Sequence, residues 1–151
     1  RIGVNNKVFT CIKFRTMLEN PYSDTLQATK NDPRVTKVGK FLRQFSLDEL
    51  PQFVNVLKND MSVVGPRPHT VPMNEDFEQR LDKYNNRHCI KPGITGLAQV
   101  LGYRGEISNH FQIRSRVKLD YFYVRNWSFF LDIKIVFKTL NQMFSTGEGI
   151  Y

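Results

Sequence analysis

Ser46-Leu47-Asp48-Glu49-Leu50-Pro51-Gln52-Phe53-Val54-Asn55-Val56-Leu57-Lys58-Asn59-Asp60 is the stretch on which the reading of this chain turns. Leu50, Phe53, Val54 and Leu57 recur at i, i+3, i+4 and i+7, which predicts a helix with one buried apolar stripe. Ser46 and Glu49 have the spacing of a capping box. Pro51, close to the start, either places the cap at Asp48 or kinks the first turn. An acidic pair therefore stands at a helix entrance, and two readings of it are open. Acidic residues favour the first turn through capping and the helix dipole alone. Alternatively, that dipole and the unpaired backbone N–H groups keep a carboxylate ionised beside an anion, as a nucleophile or a hard-metal ligand must be. Adjacent helical residues point about 100° apart, so the pair does not share one proton; one can meet a reactant while the other orients a metal or a second group.

Working outward, Val8 to Phe14 alternates and is rich in β-formers, predicting a short strand. Glu19 to Asp32 is polar and reads as a loop. Asp32-Pro33 looks like a helix start, with Val35, Val38, Phe41 and Leu42 as its apolar face. Downstream, Met61 to Val64 is strand-like, and Gly65-Pro66-Arg67-Pro68 forces a stiff turn. Glu75 to Asn86 reads as a polar helix, Lys91 to Gly96 as a loop, and Leu97 to Leu101 as a strand. Two helices are expected at the C-terminal end, about His110–Asn126 and Ser128–Phe144. The fold class that follows is α+β: helix-rich with a few short strands, in one domain over residues 1–151.

The chain has 22 Lys and Arg against 14 Asp and Glu, a net charge of +8, and 12 Phe. There is enough apolar material for a core, and general disorder is excluded. No run approaches the roughly 18 apolar residues of a membrane span. Cys11 and Cys89 form no CxxC, and His69, His88 and His110 have no zinc-ligand spacing. Walker, dinucleotide and nucleophile-elbow motifs are missing from the sequence. Lys13, Arg15, Arg34, Arg43, Arg67, Lys91 and Arg104 sit in or beside turns and short elements, and Pro66 and Pro68 stiffen the backbone that presents Arg67. An Arg fork suits bidentate phosphate contact. On the last helix Phe130, Ile133, Phe137 and Leu140 share a face. Either that face is core, or the helix lies in a membrane interface with Trp127 at headgroup depth and Lys134 and Lys138 snorkelling. The residues alone indicate a basic, phosphate-handling domain with one acidic pair. The competing reading is a basic membrane-surface or nucleic-acid-binding module without catalysis.

A resemblance goes further. Lys13-Phe14-Arg15-Thr16-Met17, Asp32-Pro33-Arg34-Val35-Thr36, Lys37-Val38-Gly39-Lys40-Phe41-Leu42-Arg43, Ser46-Leu47-Asp48-Glu49-Leu50-Pro51-Gln52, Gly65-Pro66-Arg67-Pro68 and Lys91-Pro92-Gly93-Ile94-Thr95-Gly96-Leu97-Ala98-Gln99-Val100 occur in this order. With them the chain resembles the bacterial sugar transferases, the monotopic phosphoglycosyl transferases that act on polyprenyl phosphate. The resemblance implies a compact catalytic domain with amphipathic C-terminal helices, which moves a sugar-1-phosphate from a UDP-sugar to undecaprenyl phosphate and releases UMP. It implies Asp48 as the nucleophile that forms a phosphosugar–aspartate intermediate. Glu49 would assist through Mg²⁺ or by positioning the acceptor, the pair being the expected metal ligands. Arg43, Arg67, Lys13, Arg15 and, with less support, Arg104 would bind phosphate, nucleotide or sugar. The implied product initiates capsular, exopolysaccharide or other glycoconjugate synthesis. The stretches Val71–Glu75 and Gly102–Ile107 look most like members using UDP-glucose, with UDP-galactose and N-acetylated sugars open. Further expectations are a lipid surface as partner, no nucleic acid, a homo-oligomer as one open option, and residence on the cytoplasmic face of a bacterial inner membrane. Because the chain starts at Arg1, it is expected to be a piece that lacks an upstream membrane-inserted segment.

Overall fold

The computed structural model describes residues 1–19, 28–29, 32–105 and 109–145. Most of the loop expected from Glu19 to Asp32 lies outside the described residues, as do residues 106 and 107 of the stretch that follows Gly102. Helices α1 (Lys37–Gln44) and α2 (Gln52–Leu57) come first, then strand β1 (Ser62–Val64) and helix α3 (Val71–Arg80). Strand β2 (Gly93–Thr95), a single turn α4 (Leu97–Val100) and two long helices, α5 (His110–Arg125) and α6 (Phe129–Ser145), complete the order. The strands pair in parallel, Ser62 opposite Gly93 and Val64 opposite Thr95. This is the helix-rich α+β class expected. Among the described residues no helix is long and apolar enough to cross a membrane.

The core has two parts. Val64, Val100, Tyr123 and Ile135 join the sheet to α4, α5 and α6. Phe77, Tyr84, Ile113 and Val117 join α3 to α5 through the 3₁₀ segment Tyr84–Cys89. Backbone approaches are close where the sheet begins: a Cβ on Gly93 would lie 2.1 Å from the Gly65 nitrogen, so a side chain there would break the pairing.

The strand expected over Val8–Phe14 does not form; Val8 makes only an isolated bridge to Ile2. A side chain takes the place of the neighbouring strand. The Ile12 N–H donates to Asn55 Oδ1 at 2.9 Å, and Asn55 Nδ2 donates to the Thr10 carbonyl at 2.7 Å. With two of its polar groups answered by one buried asparagine, and the Phe9 and Phe14 N–H groups by the carbonyls of Arg1 and Asp48, the extended segment needs no ladder.

Helix α1 begins five residues later than Asp32. Thr36 is its N-cap, its Oγ1 accepting from the Gly39 N–H at 2.9 Å. Asp32 instead closes a local turn, its carboxylate accepting from the backbone N–H of Arg34 and pairing with the Arg34 guanidinium at 2.6 Å. The capping box at Ser46 is also not made. Ser46 has a left-handed φ of 55° and its side chain caps nothing, so Leu47–Glu49 forms a 3₁₀ turn before Pro51 and α2 begins after it. Helix α3 starts earlier than expected, at a Thr70 N-cap, with Pro72 in its first turn. Leu97–Val100 is helical rather than a strand, and the strand lies just upstream in what had read as loop. The two C-terminal helices match their expected spans within about two residues.

The largest departure concerns α2. Its periodicity is helical, but the stripe is inverted: Leu50, Phe53 and Val54 are exposed and Leu57 is 87% exposed, whereas Gln52 and Asn55 are 2% and 1% exposed. On α1, Val38 and Phe41 likewise face outward. On α6, Ile135 enters the core while Phe129, Phe130 (75% exposed), Phe137 and Phe144 do not. The aromatic face of α6 is therefore not core.

Candidate active site

Asp48 and Glu49 meet in the 3₁₀ turn between α1 and α2, on the wall of a cavity of about 240 Å³. The segment Lys13–Met17, α1, the Gly65–Pro68 turn and the start of α3 supply the other walls. The segment is tied to the acidic turn by the Phe14 N–H, which donates to the Asp48 carbonyl at 3.0 Å. Gly39 lets α1 pack on the segment, since a Cβ there would stand 2.0 Å from the Thr16 carbonyl oxygen. That contact brings Arg43 Nε to 2.9 Å from Thr16 Oγ1, placing its guanidinium at the cavity.

The two carboxylates have opposite surroundings. Glu49 is buried and enclosed by cations. Its Oε1 accepts from Lys13 Nζ at 2.8 Å and from Arg67 Nη2 at 2.6 Å, and its Oε2 faces Arg67 Nη1 at 3.3 Å and Arg104 Nη2 at 3.6 Å. Burial alone would raise its pKa. Arg67, Lys13 and Arg104 outweigh that and hold the carboxyl well below the usual carboxylate range. Asp48 has no hydrogen bond to its carboxylate among the described residues. Burial and the neighbouring Glu49 charge push its pKa above the ordinary value of 3.8, against the pull of Lys13, Arg43 and Arg67. A half-buried carboxylate with no protein hydrogen-bond donor retains more of its nucleophilicity than one held by donors, and the cations beside it are placed to stabilise an incoming anion. Among the described residues, six cationic side chains (Arg1, Lys13, Arg43, Arg67, Arg104 and Arg116) line the cavity against these two acids.

Of the residues singled out from the sequence, Asp48, Glu49, Lys13, Arg43, Arg67 and Arg104 come together here. Arg104 is also anchored by Ser46, its Nη2 donating to Ser46 Oγ at 2.8 Å. Arg15 does not join them: its side chain is largely exposed and pairs with Glu19 at 2.5 Å. As metal ligands the pair divides. Both Glu49 oxygens are turned to cations, so the arrangement suits a divalent ion held by Asp48 and substrate oxygens, the usual way Mg²⁺ binds, rather than by both acids. Among the described residues no group of three His, Cys, Asp or Glu side chains could hold a metal by itself. Both cysteines are free, and Cys11 lies on the cavity wall.

The sequence reading passed over Gln52, His69 and Arg116, all on the cavity wall. Gln52 is one turn beyond Asp48, and its buried Nε2 has no hydrogen-bond partner among the described residues. Its signal was a polar residue at i+4 from the acidic residue. His69 immediately follows the stiff Pro66-Arg67-Pro68 turn. Nothing local marks Arg116, which reaches the site from the middle of α5, its Nη2 donating to the Gly105 carbonyl at 2.8 Å.

Behind the cavity lies a buried polar network. Arg87 Nη2 is 2.8 Å from Asp120 Oδ2 and donates to the Arg67 carbonyl at 2.7 Å, so an ion pair holds the backbone of the turn that presents Arg67. Both partners are almost fully buried, where an ion pair is retained only with such added hydrogen bonds.

The sequence has counterparts among known proteins. The chain is 53% identical, over 95% of its length, to the UDP-glucose:undecaprenyl-phosphate glucose-1-phosphate transferase of Escherichia coli (strain K12), and covers 31% of that protein. It is 52% identical to the protein of the same name from Klebsiella pneumoniae, again over 95% of the chain and 31% of the relative. The UDP-N-acetylgalactosamine-undecaprenyl-phosphate N-acetylgalactosaminephosphotransferase of Aeromonas hydrophila is 42% identical over 99% of the chain and 35% of its own length. The chain thus spans about a third of the length of these relatives. The bacterial sugar transferase profile matches residues 1–146, and the chain belongs to that family.

Proposed function

We propose that this domain transfers a sugar-1-phosphate from a UDP-sugar to undecaprenyl phosphate, with Asp48 as the nucleophile. The observation that carries this is the division of labour in the acidic pair: Glu49 neutralised by Lys13, Arg67 and Arg104, and an Asp48 carboxylate with no hydrogen bond among the described residues, in a cavity with excess positive charge. An Asp48 Oδ attacks the sugar-bearing phosphorus, and the bond from that phosphorus to the bridging oxygen breaks. UMP leaves with the electron pair. An oxygen of undecaprenyl phosphate then attacks the same phosphorus, the bond to Asp48 breaks, and the carboxylate is regenerated. Arg43, Arg67 and Lys13 take the phosphate oxygens; their contribution is positioning and charge neutralisation, which dominate phosphoryl transfer. When bound, Mg²⁺ would further neutralise the diphosphate, and Asp48 is the side chain here that would hold it. The names of the relatives support the acceptor and favour glucose as the sugar, while an N-acetylgalactosamine relative at 42% identity keeps N-acetylated donors in play.

The outward apolar side chains of α1, α2 and α6 support a lipid surface as partner, because exposed patches of this extent mark a contact rather than ordinary surface. The net charge of +8 favours an anionic leaflet, and a lipid-borne acceptor reaches the cavity most directly there. A domain that meets its acceptor this way works at the cytoplasmic face of the inner membrane, where UDP-sugars are made.

The test is UMP release by the full-length protein supplied with UDP-glucose, undecaprenyl phosphate and Mg²⁺. Asp48→Asn is expected to lower turnover by about 10³-fold or more. Turnover close to that of the wild type would remove the covalent role.

A further inference from the structure

We propose that His69 is a donor-binding residue: a neutral imidazole whose Nε2–H hydrogen-bonds an uncharged oxygen of the UDP-sugar, either a hydroxyl of the hexose or an oxygen of the uridine. The proposal rests on the UDP-sugar reading above and deepens it. His69 lies between the Pro66–Pro68 turn and the N-cap of α3, is 6% exposed, and lines the same cavity as Asp48. Its ring is clamped. Phe77 meets it edge-on at 5.1 Å, Tyr84 Oη is 2.5 Å from Nδ1, and Arg87 Nη1 is 2.8 Å from Nδ1. A guanidinium has only donors, so Nδ1 accepts and the proton of the neutral ring sits on Nε2. Arg87 is itself pinned by Asp120 and by the Arg67 carbonyl, so the tautomer is set by buried groups behind the cavity wall. Burial, with Arg87, Arg116, Arg67 and Arg1 nearby, pushes the ring well away from its charged form. Nε2–H has no hydrogen-bond partner among the described residues.

The choice of an uncharged acceptor follows from the composition of the walls. The phosphate oxygens have cations to meet, and a neutral donor adds little there. The wall made by Pro68, His69, Thr70 and Met73 carries no charge, and Thr70 Oγ1 accepts from the Met73 N–H as the cap of α3, which leaves its own rotatable O–H as the other side-chain donor there. Of the two, the His69 N–H is the one whose direction is fixed, by the contacts that clamp its ring. One such bond to a hydroxyl can decide which donor is accepted, because a substrate that lacks the oxygen leaves a buried N–H unpaired.

Two variants of the full-length protein test this. His69→Asn keeps an acceptor for Arg87 at the Nδ1 position and withdraws the outer donor; His69→Gln offers an amide donor near the Nε2 position. The readouts are KM for whichever of UDP-glucose, UDP-galactose and UDP-N-acetylgalactosamine the wild type turns over, Ki for UMP, and the thermal melt. His69→Asn is expected to raise KM about tenfold with an unchanged melt, and His69→Gln to recover part of the loss. An unchanged Ki for UMP then assigns the acceptor to the hexose; a Ki that rises in step assigns it to the uridine. KM and Ki both within twofold of the wild type in folded His69→Asn overturn the proposal. Should that variant not fold, ¹⁵N-imidazole spectra of the wild type decide: the Nε2–H resonance shifts on adding the UDP-sugar, and a resonance that stays still overturns the assignment. A wild type that turns over none of the three donors, with undecaprenyl phosphate and Mg²⁺ present, defeats the UDP-sugar reading itself and this proposal with it.

Discussion

Asp48 and Glu49 are neighbours in sequence with opposite electrostatic fates, and that contrast is the chemistry of the site. Glu49 stays ionised through acid pH because Arg67, Lys13 and Arg104 surround it, whereas Asp48 holds its proton to higher pH than an ordinary aspartate. If Asp48 is the nucleophile proposed, it must be ionised, and kcat/KM is then expected to rise with pH through its pKa in the free enzyme. The acid limb of the pH–rate profile is therefore expected above the ordinary aspartate value of 3.8. In Glu49→Gln the like charge beside Asp48 is gone, and any residual activity should show that limb at lower pH; a limb that stays put or moves up would contradict the assignment. At this scale the sequence was informative where residue type and stiff turns speak for themselves. Asp48, Glu49 and Arg67 could be read from capping positions and paired prolines. Arg15 misled because an extended stretch does not reveal which of its cations turns inward. His69 was set aside for lack of zinc spacing, although what matters is the Arg87 and Tyr84 pair that fixes its proton, and those residues are distant in sequence.

Among the elements, α1 shows how one glycine places a distant charge. Gly39 lets the helix close on Thr16, and Thr16 holds Arg43. Gly39→Ala forces a Cβ against the backbone carbonyl of Thr16. The expected cost is about 1–3 kcal/mol of stability, read as a lower melting temperature, with a rise in KM for the UDP-sugar as Arg43 shifts. An unchanged melt and KM would show that the contact does not position the arginine. Helix α2 shows where periodicity stops being informative. The i, i+3, i+4, i+7 spacing correctly announced a helix with two unlike faces, but spacing does not say which medium meets the apolar one. Here Gln52 and Asn55 go inward, and Asn55 is there because the Val8–Phe14 segment needs its amide. The same hydrogen bonds explain the missing strand. Leu97–Val100 is short and apolar, a pattern that strand and buried helix share, and its context after Gly96 made it helical.

For the whole molecule, the apolar residues divide between two small cores and an outward population on α1, α2 and α6. The composition announced the abundance of phenylalanine but not this division. Leu57→Glu and Phe130→Glu are expected to leave the thermal melt within about 0.5 kcal/mol of the wild type, as exposed substitutions do. Both should reduce co-sedimentation of the protein with anionic phospholipid vesicles. Loss of the folded state in either variant would mean that the side chain is core, because an unpaired buried charge is costly. The basic charge also divides. Part of it converges on the cavity around Asp48, and part, Lys37 and Lys40 on α1 among them, stays on the surface. A charge count alone does not separate a diphosphate site from a nucleic-acid surface; the convergence of cations on two carboxylates is the observation that favours the first reading.

The central claim, that Asp48 carries the sugar phosphate, is tested most directly by intact-protein and peptide mass spectrometry. The full-length protein is incubated with UDP-sugar and Mg²⁺ without polyprenyl phosphate. The account predicts an adduct of one sugar phosphate on the peptide containing Asp48, lost in Asp48→Asn and discharged when undecaprenyl phosphate is added. An enzyme that turns over with no adduct, or with the adduct on another residue, would contradict it.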